Sequence, residues 1–325
     1  MNFIVLSAFA HGSASARCDA LFKSKSEAPH WPPPHEIPPE LLARYTMNGT
    51  SKVVDWIADH KANGNAVSHW ETNQIEQIMT ACQQLPASTT SGRAAHNRPW
   101  RQNGQWYQHV LDYVANWIDP APSFPLCECY QTGVCWEALS AFREEIRDSR
   151  AIVIGSQSPW AEAMLLALRA RHVTSIEWQN TTLRGSSRAI KNRWVWMHPA
   201  RVASQYLHGK WHPADVAFSY SSLEHDGLGR YGDPLNPEGD LLSVEKVACL
   251  LKPGGLFFLG VPVGGDALAW NAHRIYGSAR LRLVFRGWRL LTLYGTSDVW
   301  DDQATRVKGL RTYPPHPIFV MQKPE

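Results

Sequence analysis

The chain has 325 residues, 44% of them hydrophobic and 19% charged, with a formal net charge of +3. A sequence this apolar supplies a buried core and is not disordered throughout. No apolar run approaches membrane-spanning length, and the slight positive charge points to no nucleic-acid partner. The 15 tryptophans can fill a core, and they also offer stacking faces for sugars, adenine rings or protein partners.

Met1 to Ala16 join a short apolar stretch, Phe3 to Ala10, to the small triplet Ala14-Ser15-Ala16. This has the form of a secretory leader with its cleavage site but lacks the positively charged opening, so a plain N-terminus is the alternative. Two Asn-x-Thr sequons, at Asn48 and Asn180, are compatible with a secretory route and do not exclude the cytoplasm. Residues 24–39 contain Trp31-Pro32-Pro33-Pro34 and Pro38-Pro39, extended text that builds neither helix nor central strand. Residues 1–45 are therefore expected to be a leader-like start followed by a Pro-rich extended segment.

Residues 46–145 are expected to form a mostly helical region. Val53, Val54, Ile57 and Ala58 have helical spacing, as do Ile75, Ile78, Met79 and Cys82. Tyr107, Val110, Leu111, Val114 and Ile118 form another stripe, and Leu139, Phe142 and Ile146 mark a segment beginning at Cys135. Pro120, Pro122 and Pro125 punctuate a loop. Cysteines stand at 18, 82, 127, 129, 135 and 249; the cluster Cys127, Cys129, Cys135 lacks a fourth ligand for structural zinc. No metal is expected there, and a disulfide or buried thiols are. Cys249 falls on the apolar stripe of a predicted helix and reads as core.

The pattern changes at residues 146–325. Ala151 to Gly155 is a short apolar run of the kind buried in parallel sheets. A helix follows from Pro159 to Arg171, then strands at Val173–Trp178, Trp194–Met197 and Ala214–Ser219. A helix over 239–251, with Leu241, Val244, Ala248 and Leu251 on its stripe, precedes a strand at Leu256–Val261. Trp288–Tyr294 and Ile318–Met321 complete the set. Strands alternating with helices predict a doubly wound α/β sheet whose ligands bind at the carboxyl ends of the strands.

At those ends, Gly155 permits close approach to the main chain. Ser158, Pro159 and Glu162 suit a helix start. Glu177 lies 22 positions after Gly155, where a carboxylate accepts hydrogen bonds from ribose hydroxyls. Trp178 can stack an adenine or pack on a helix. The densest polar constellation runs from Ser219 to Pro234. Within it His225 is either a general base with a neighbouring carboxylate fixing its tautomer, or a histidine bonded inside a rigid loop. Lys252, Pro253, Gly254 and Gly255 stop a helix, with Lys252 complementing its negative end. Asn271, His273, Arg274 and Tyr276 are placed on the next helix as substrate contacts. The absence of a G-x-G-x-x-G fingerprint disfavours a nicotinamide oxidoreductase.

Three features, Leu251-Lys252-Pro253-Gly254-Gly255, the acidic second-strand end and Leu223-Glu224-His225, resemble the class I S-adenosylmethionine-dependent methyltransferase-like superfamily. The stretches 155–162, 222–234 and 271–277 resemble domain-of-unknown-function family 268 more closely. The resemblance implies a Rossmann-like sheet of seven strands behind an N-terminal helical extension, and S-adenosylmethionine as cofactor. Gly155, Ser156, Gln157, Glu177, Trp178, Ser219 and Ser221 would bind it. His225 would be the base, oriented by Asp226 or Glu224, and Arg230, Tyr231, Asp233, Asn271, His273, Arg274 and Tyr276 would contact the acceptor. The implied reaction is O-methylation of a small molecule or glycan. A non-catalytic module binding a glycan or protein is the rival, and a metal-dependent variant would use Asp226, Asp233, Asp240 and His273. Ser156, Ser158 and Pro159 replace the superfamily's glycines, and His198-Pro199 stands where an acidic residue is usual. Oligomeric state is not implied.

Overall fold

A computed structural model describes residues 14–23, 36–54, 67–84, 132–295 and 316–325. The strands are β1 (Lys52–Val54), β2 (Val67–Glu71), β3 (Arg150–Ile154), β4 (His172–Ile176), β5 (Asn180–Arg184) and β6 (Trp194–Met197), then β7 (Ala214–Tyr220), β8 (Leu251–Gly260), β9 (Ala267–Ala269), β10 (His273–Ile275), β11 (Arg289–Tyr294) and β12 (Ile318–Gln322). The helices are α1 (Ala14–Lys23), α2 (Pro39–Tyr45), α3 (Thr72–Gln84), α4 (Thr132–Ala141) and α5 (Arg143–Ile146), then α6 (Trp160–Ala167), α7 (Arg188–Lys191), α8 (Pro199–Leu207), α9 (Gly239–Leu250) and α10 (Ser278–Val284).

Seven strands form the central sheet in the order β11-β12-β8-β7-β3-β4-β6. β12 runs antiparallel to both of its neighbours, and the pairs β8–β7–β3–β4–β6 are all parallel. The sheet is Rossmann-like. Side chains alternate across it, as the period of two requires. Ala151, Val153, Val216, Phe218, Leu256 and Phe258 enter one core, while Ile152, Ala217, Phe257 and Leu259 enter the other. Both faces are covered, which is why these strands read as unbroken apolar runs. The first core also takes Ile75 and Cys82 of α3 and Val134 and Leu139 of α4. The N-terminal helices thus share a core with the sheet.

The strand order reverses between β3 and β7, so the crevice at their carboxyl ends is the topological switch point. Two small sheets accompany the central one, β1-β9-β10 and β2-β5.

Several expectations change. Val53 and Val54 lie in β1, paired parallel with Leu268 and Ala269, because cross-strand pairing overrides helical spacing in so short a run. Ile57, Ala58, the 107–118 stripe, Pro120, Pro122, Pro125, Cys127 and Cys129 fall outside the described residues, as do the whole apolar stretch Phe3 to Ala10 and most of the Pro-rich run. Ala14-Ser15-Ala16 opens α1, and Pro39 opens α2 at the first helical position, where no N–H is needed. The 135–146 segment is two helices broken at Phe142. His273 and Arg274 lie on β10 rather than a helix, held antiparallel to β9. Lys252 pairs with Asp215 at 2.5 Å instead of the helix end.

Cys249 is not a core thiol: it is bridged to Cys18, 231 residues away in sequence. The bridge fastens α1 across α9. The Arg17–Glu245 ion pair and the Phe22–Tyr206 ring contact, 4.4 Å between centroids, extend the same seam. Closing so long a loop removes much entropy from the unfolded chain. Cys18→Ser, or reduction of the parent, is expected to lower the unfolding free energy by about 2–4 kcal/mol in denaturant titrations. Cys82→Ser, at a buried unbridged thiol, is expected to keep the parent's sensitivity to reductant.

Candidate functional site

Gly155 ends β3 with φ +73°, a conformation that favours glycine. A Cβ there would lie 1.6 Å from Ser222 Oγ, so the first turn and the exit of β7 are in close contact at the switch point. Ser219 ties them again, donating to the Ile154 carbonyl at 3.2 Å.

The first turn is held from beneath by Glu162, a fully buried carboxyl in the apolar helix α6. Ser175 of β4 donates to its Oε1 at 2.7 Å and itself accepts from Trp194 Nε1 at 2.8 Å. Ser156 Oγ lies 3.0 Å from both Glu162 Oε2 and the Ser158 carbonyl. One hydroxyl proton cannot serve two acceptors. A protonated Glu162 resolves this by donating to Ser156, which then donates to Ser158. Burial accordingly raises the Glu162 pKa to about 7, against the opposing pull of Ser175 and Ser156. Ser156 and Glu162 are thus shape-setting groups of the turn, with Gln157 beside them receiving Trp70 Nε1 on its carbonyl at 3.3 Å.

At the end of β4 the half-buried Glu177 turns Oε1 onto the backbone amides of Trp178 (2.6 Å) and Gln179 (3.2 Å). Its Oε2 has no hydrogen-bond partner among the described residues. Burial raises this carboxyl above the ordinary value. The Trp178 indole is 42% exposed and meets the His198 ring edge-on at 4.9 Å. Trp196 Nε1 donates to the Glu177 carbonyl at 3.1 Å. His198, in the place of the expected acidic residue, accepts the Ala200 amide on Nδ1 and caps α8.

Beyond β7, Ser221 adopts φ +49° and donates to Glu224 Oε1 at 2.8 Å. A 3-10 turn, Leu223–His225, follows. Glu224 is 1% exposed, its Oε1 lies 3.6 Å from His225 Nε2 and 4.0 Å from His316 Nε2, and its buried Oε2 has no hydrogen-bond partner among the described residues. His225 donates from Nδ1 to the Ala272 carbonyl at 2.5 Å. This fixes the tautomer and leaves Nε2 as the acceptor. Burial holds the imidazole down to about 3 and pushes the Glu224 carboxyl up to about 7. The His273 ring stands 6.2 Å from that of His225, and Tyr231 stacks edge-on at 5.3 Å. Arg230 lies over the Tyr231 ring at 5.6 Å.

The remaining predicted residues shape the loop. Asp233 accepts from the amides of Gly227 (2.6 Å), Gly229 (3.3 Å) and Tyr231 (3.2 Å). Arg274 donates to the carbonyls of Glu224, Asp226, Asn236 and Pro237 at 2.6–3.3 Å. Tyr276 donates to Asp240 at 2.8 Å, and Arg280 grips both oxygens of that carboxylate. The two arginines hold Asp240 down to about 2 despite full burial. Asp226 does not orient His225. Its carboxyl accepts from Ser243 at 2.5 Å and burial raises it to about 8, so Glu224 is the neighbour at the ring. Asn271 is buried with φ +48°, in the turn that presents the Ala272 carbonyl. Asp226, Asp233, Asp240 and His273 do not converge, and among the described residues no group of three His, Cys, Asp or Glu is placed to hold a metal ion.

Sequence reasoning passed over Glu162, Arg280, His198 and His316 as working parts. A lone carboxylate in Trp-Ala-Glu-Ala-Met-Leu-Leu-Ala and an arginine in Ser-Ala-Arg-Leu-Arg-Leu-Val were visible signals of buried charge. His316 carried none, since its place comes only from the return of β12.

The chain belongs to the family described as "Caenorhabditis protein of unknown function, DUF268", whose pattern matches residues 148–311. No curated protein matches it. Among solved structures it is similar to an N-methyltransferase, NodS of Bradyrhizobium japonicum, in complex with S-adenosylhomocysteine, at 14% identity and a TM-score of 0.37, over 67% of this chain and 98% of that one. It is similar to a protein of Galdieria sulphuraria provisionally assigned as a sarcosine dimethylglycine methyltransferase, at 12% identity and 0.39, over 65% and 91%. It is also similar to a provisional hemolysin of Streptococcus thermophilus, at 14% identity and 0.39, over 61% and 67%. Likeness at this level does not extend to chemistry.

The Glu162 network yields a pH test. Its pKa is raised in the fold, so the folded state keeps a proton that the unfolded chain loses above about 4.5. The contribution is fully present below that value and is lost as pH rises to about 7. Glu162→Gln keeps both serine contacts without titrating. Urea unfolding at pH 5 and pH 8 is expected to show the parent losing up to about 3 kcal/mol relative to the variant.

Proposed function

We propose that this protein is an S-adenosylmethionine-dependent methyltransferase acting on a hydroxyl of a small molecule or glycan. The observation that carries the reading is the pairing, at one sheet edge, of a nucleoside-type donor set with a hydroxyl-activating pair. Glu177 offers a half-buried carboxylate with Oε2 unengaged, Trp178 an exposed indole, and Gly155 a strand end without a side chain. These fit the sugar, the base and the backbone-facing part of the cofactor, with Ser156, Gln157, Ser219 and Ser221 framing the turn. When bound, the cofactor supplies a methyl group already activated on a sulfonium.

His225 takes the acceptor's hydroxyl proton on Nε2, while its Nδ1–H remains on Ala272. Glu224, once ionised, stabilises the charge that develops on the ring. Its raised pKa, about 7, makes that ionisation, and hence activity, increase with pH through neutrality. Arg230 and Tyr231 line the acceptor side. Asp233, Arg274 and Tyr276 hold the loop that presents His225.

One observation favours a non-catalytic binding module. Ser222 Oγ occupies the space beside Gly155, and serines replace glycines in the turn. A single experiment separates the two readings. The parent is expected to bind S-adenosylhomocysteine in calorimetry and to transfer labelled methyl to a cell extract. Glu177→Ala should weaken binding about 10- to 100-fold, as loss of a charge-assisted hydrogen bond does. His225→Ala should leave binding intact and lower transfer about 100- to 10,000-fold. Binding without transfer selects the module; no binding abandons the methyltransferase.

We infer further that the folded chain resides in an oxidising, secretory compartment. The Cys18–Cys249 bridge supports this, since such bridges persist there. Asn48, in an exposed turn, and Asn180, at the exposed start of β5, both head sequons. Protein made in animal cells is expected to shift in gel mobility on treatment with an N-glycosidase, and the Asn48→Gln, Asn180→Gln double variant should not.

A further inference from the structure

Two buried atoms near the histidine loop stand out because neither has a hydrogen-bond partner among the described residues: Glu224 Oε2 and Arg230 Nη1. Glu224 is 1% exposed overall. Arg230 is half-buried, and the two buried arginines among the described residues are not left in this condition. Arg274 is occupied by four carbonyls and Arg280 by both oxygens of Asp240. Arg230 makes one long contact, Nε to Tyr231 Oη at 3.4 Å, and no carboxylate pairs with it among the described residues. A buried donor atom without an acceptor loses its hydration with nothing in return, a cost tolerated where a ligand completes the set.

The surroundings favour an anion over a neutral group. Arg230 lies on one side of the Tyr231 ring, and the His225 ring meets that ring edge-on. His273 stands against His225, and His316 approaches Glu224. The cationic fork and the imidazoles thus adjoin Glu224, which carries a proton below neutrality and then offers no repulsion, while the neighbouring Asp233 carboxyl is engaged by the amides of Gly227, Gly229 and Tyr231. A planar guanidinium edge suits two oxygens of one oxyanion. A neutral polyol would satisfy Glu224 Oε2 through a hydroxyl but would leave Arg230 without a counter-charge.

We propose that the acceptor carries an oxyanion (carboxylate, sulfate ester or phosphate ester) bound by Arg230, with a neighbouring hydroxyl on Glu224 and His225. The word acceptor rests on the methyltransferase reading; the anion site does not.

The full chain, saturated with S-adenosylhomocysteine, is titrated with glucuronate, glucose 6-sulfate, glucose 6-phosphate and glucose, by calorimetry and by NMR of labelled histidine rings. At least one anion is expected to bind about tenfold more tightly than glucose. The His225 and His273 ring titrations should move upward on binding, because the charge of Arg230, which depresses both, is then offset. Arg230→Gln should abolish the preference and Arg230→Lys retain part of it. Equal binding of glucose, no binding by any of the anions, or a preference that survives Arg230→Gln would overturn the proposal. Should Arg230→Gln fail to fold, the parent's preference over glucose and the histidine shifts decide alone. Anion preference in a protein that does not bind S-adenosylhomocysteine would overturn the methyltransferase reading and leave this site standing.

Discussion

The site depends on one buried ion group. Asp240 opens α9 with no exposure, and Arg280 and Arg274, 5% and 2% exposed, converge on it. Removing one member of such a group leaves an uncompensated charge in a low-dielectric interior, which is more costly than never having buried it. The arrangement persists because each arginine also meets backbone carbonyls. Arg274 reaches those of Glu224, Asp226, Asn236 and Pro237 and Arg280 that of Pro237, so one cluster holds both ends of the central loop. The position of His225 follows from a charge balance well away from its ring.

Around that pivot the fold keeps several acidic groups close to neutral pH. Glu162, Glu224 and Asp226 are all raised by burial, to about 7, 7 and 8, whereas Asp240 is held low by its arginines. The division is physical: burial raises a carboxyl whose hydroxyl partners only partly offset the loss of water, and guanidinium partners reverse that shift. The first turn and the histidine loop therefore hold carboxyls that keep their protons toward neutrality, while the brace behind the loop holds one that does not.

Much of this was legible in the residues. Buried strands announce themselves as unbroken apolar runs, so all seven strands of the central sheet could be read, although β8 begins at Leu251, five residues before the apolar run that marked it. Glu177 could be placed at a strand end by its distance from Gly155. The small strands could not be read, because Lys52–Val54 and His273–Ile275 are three residues each and owe their form to partners far along the chain. The site residues divide likewise. A histidine in a polar, glycine-rich loop draws attention, but whether Asp226 or Glu224 stands at its ring depends on backbone direction, and the structure turns Asp226 toward Ser243. Asp233, Arg274 and Tyr276 share the chemistry of substrate contacts, and only their partners reveal them as braces.

The return strand Ile318–Gln322 carries a practical consequence. It lies between β8 and β11 and buries Ile318, Phe319, Val320 and Met321 completely, yet it falls beyond residue 311, where the family pattern stops. A fragment cut to the family limits would present two open β-edges and a stripe of uncovered aromatic and aliphatic surface, the kind of seam along which chains stick to one another. It would also lack α3 and α4 from the opposite core. The stretch shared with the family is thus shorter than the stretch that builds the two cores.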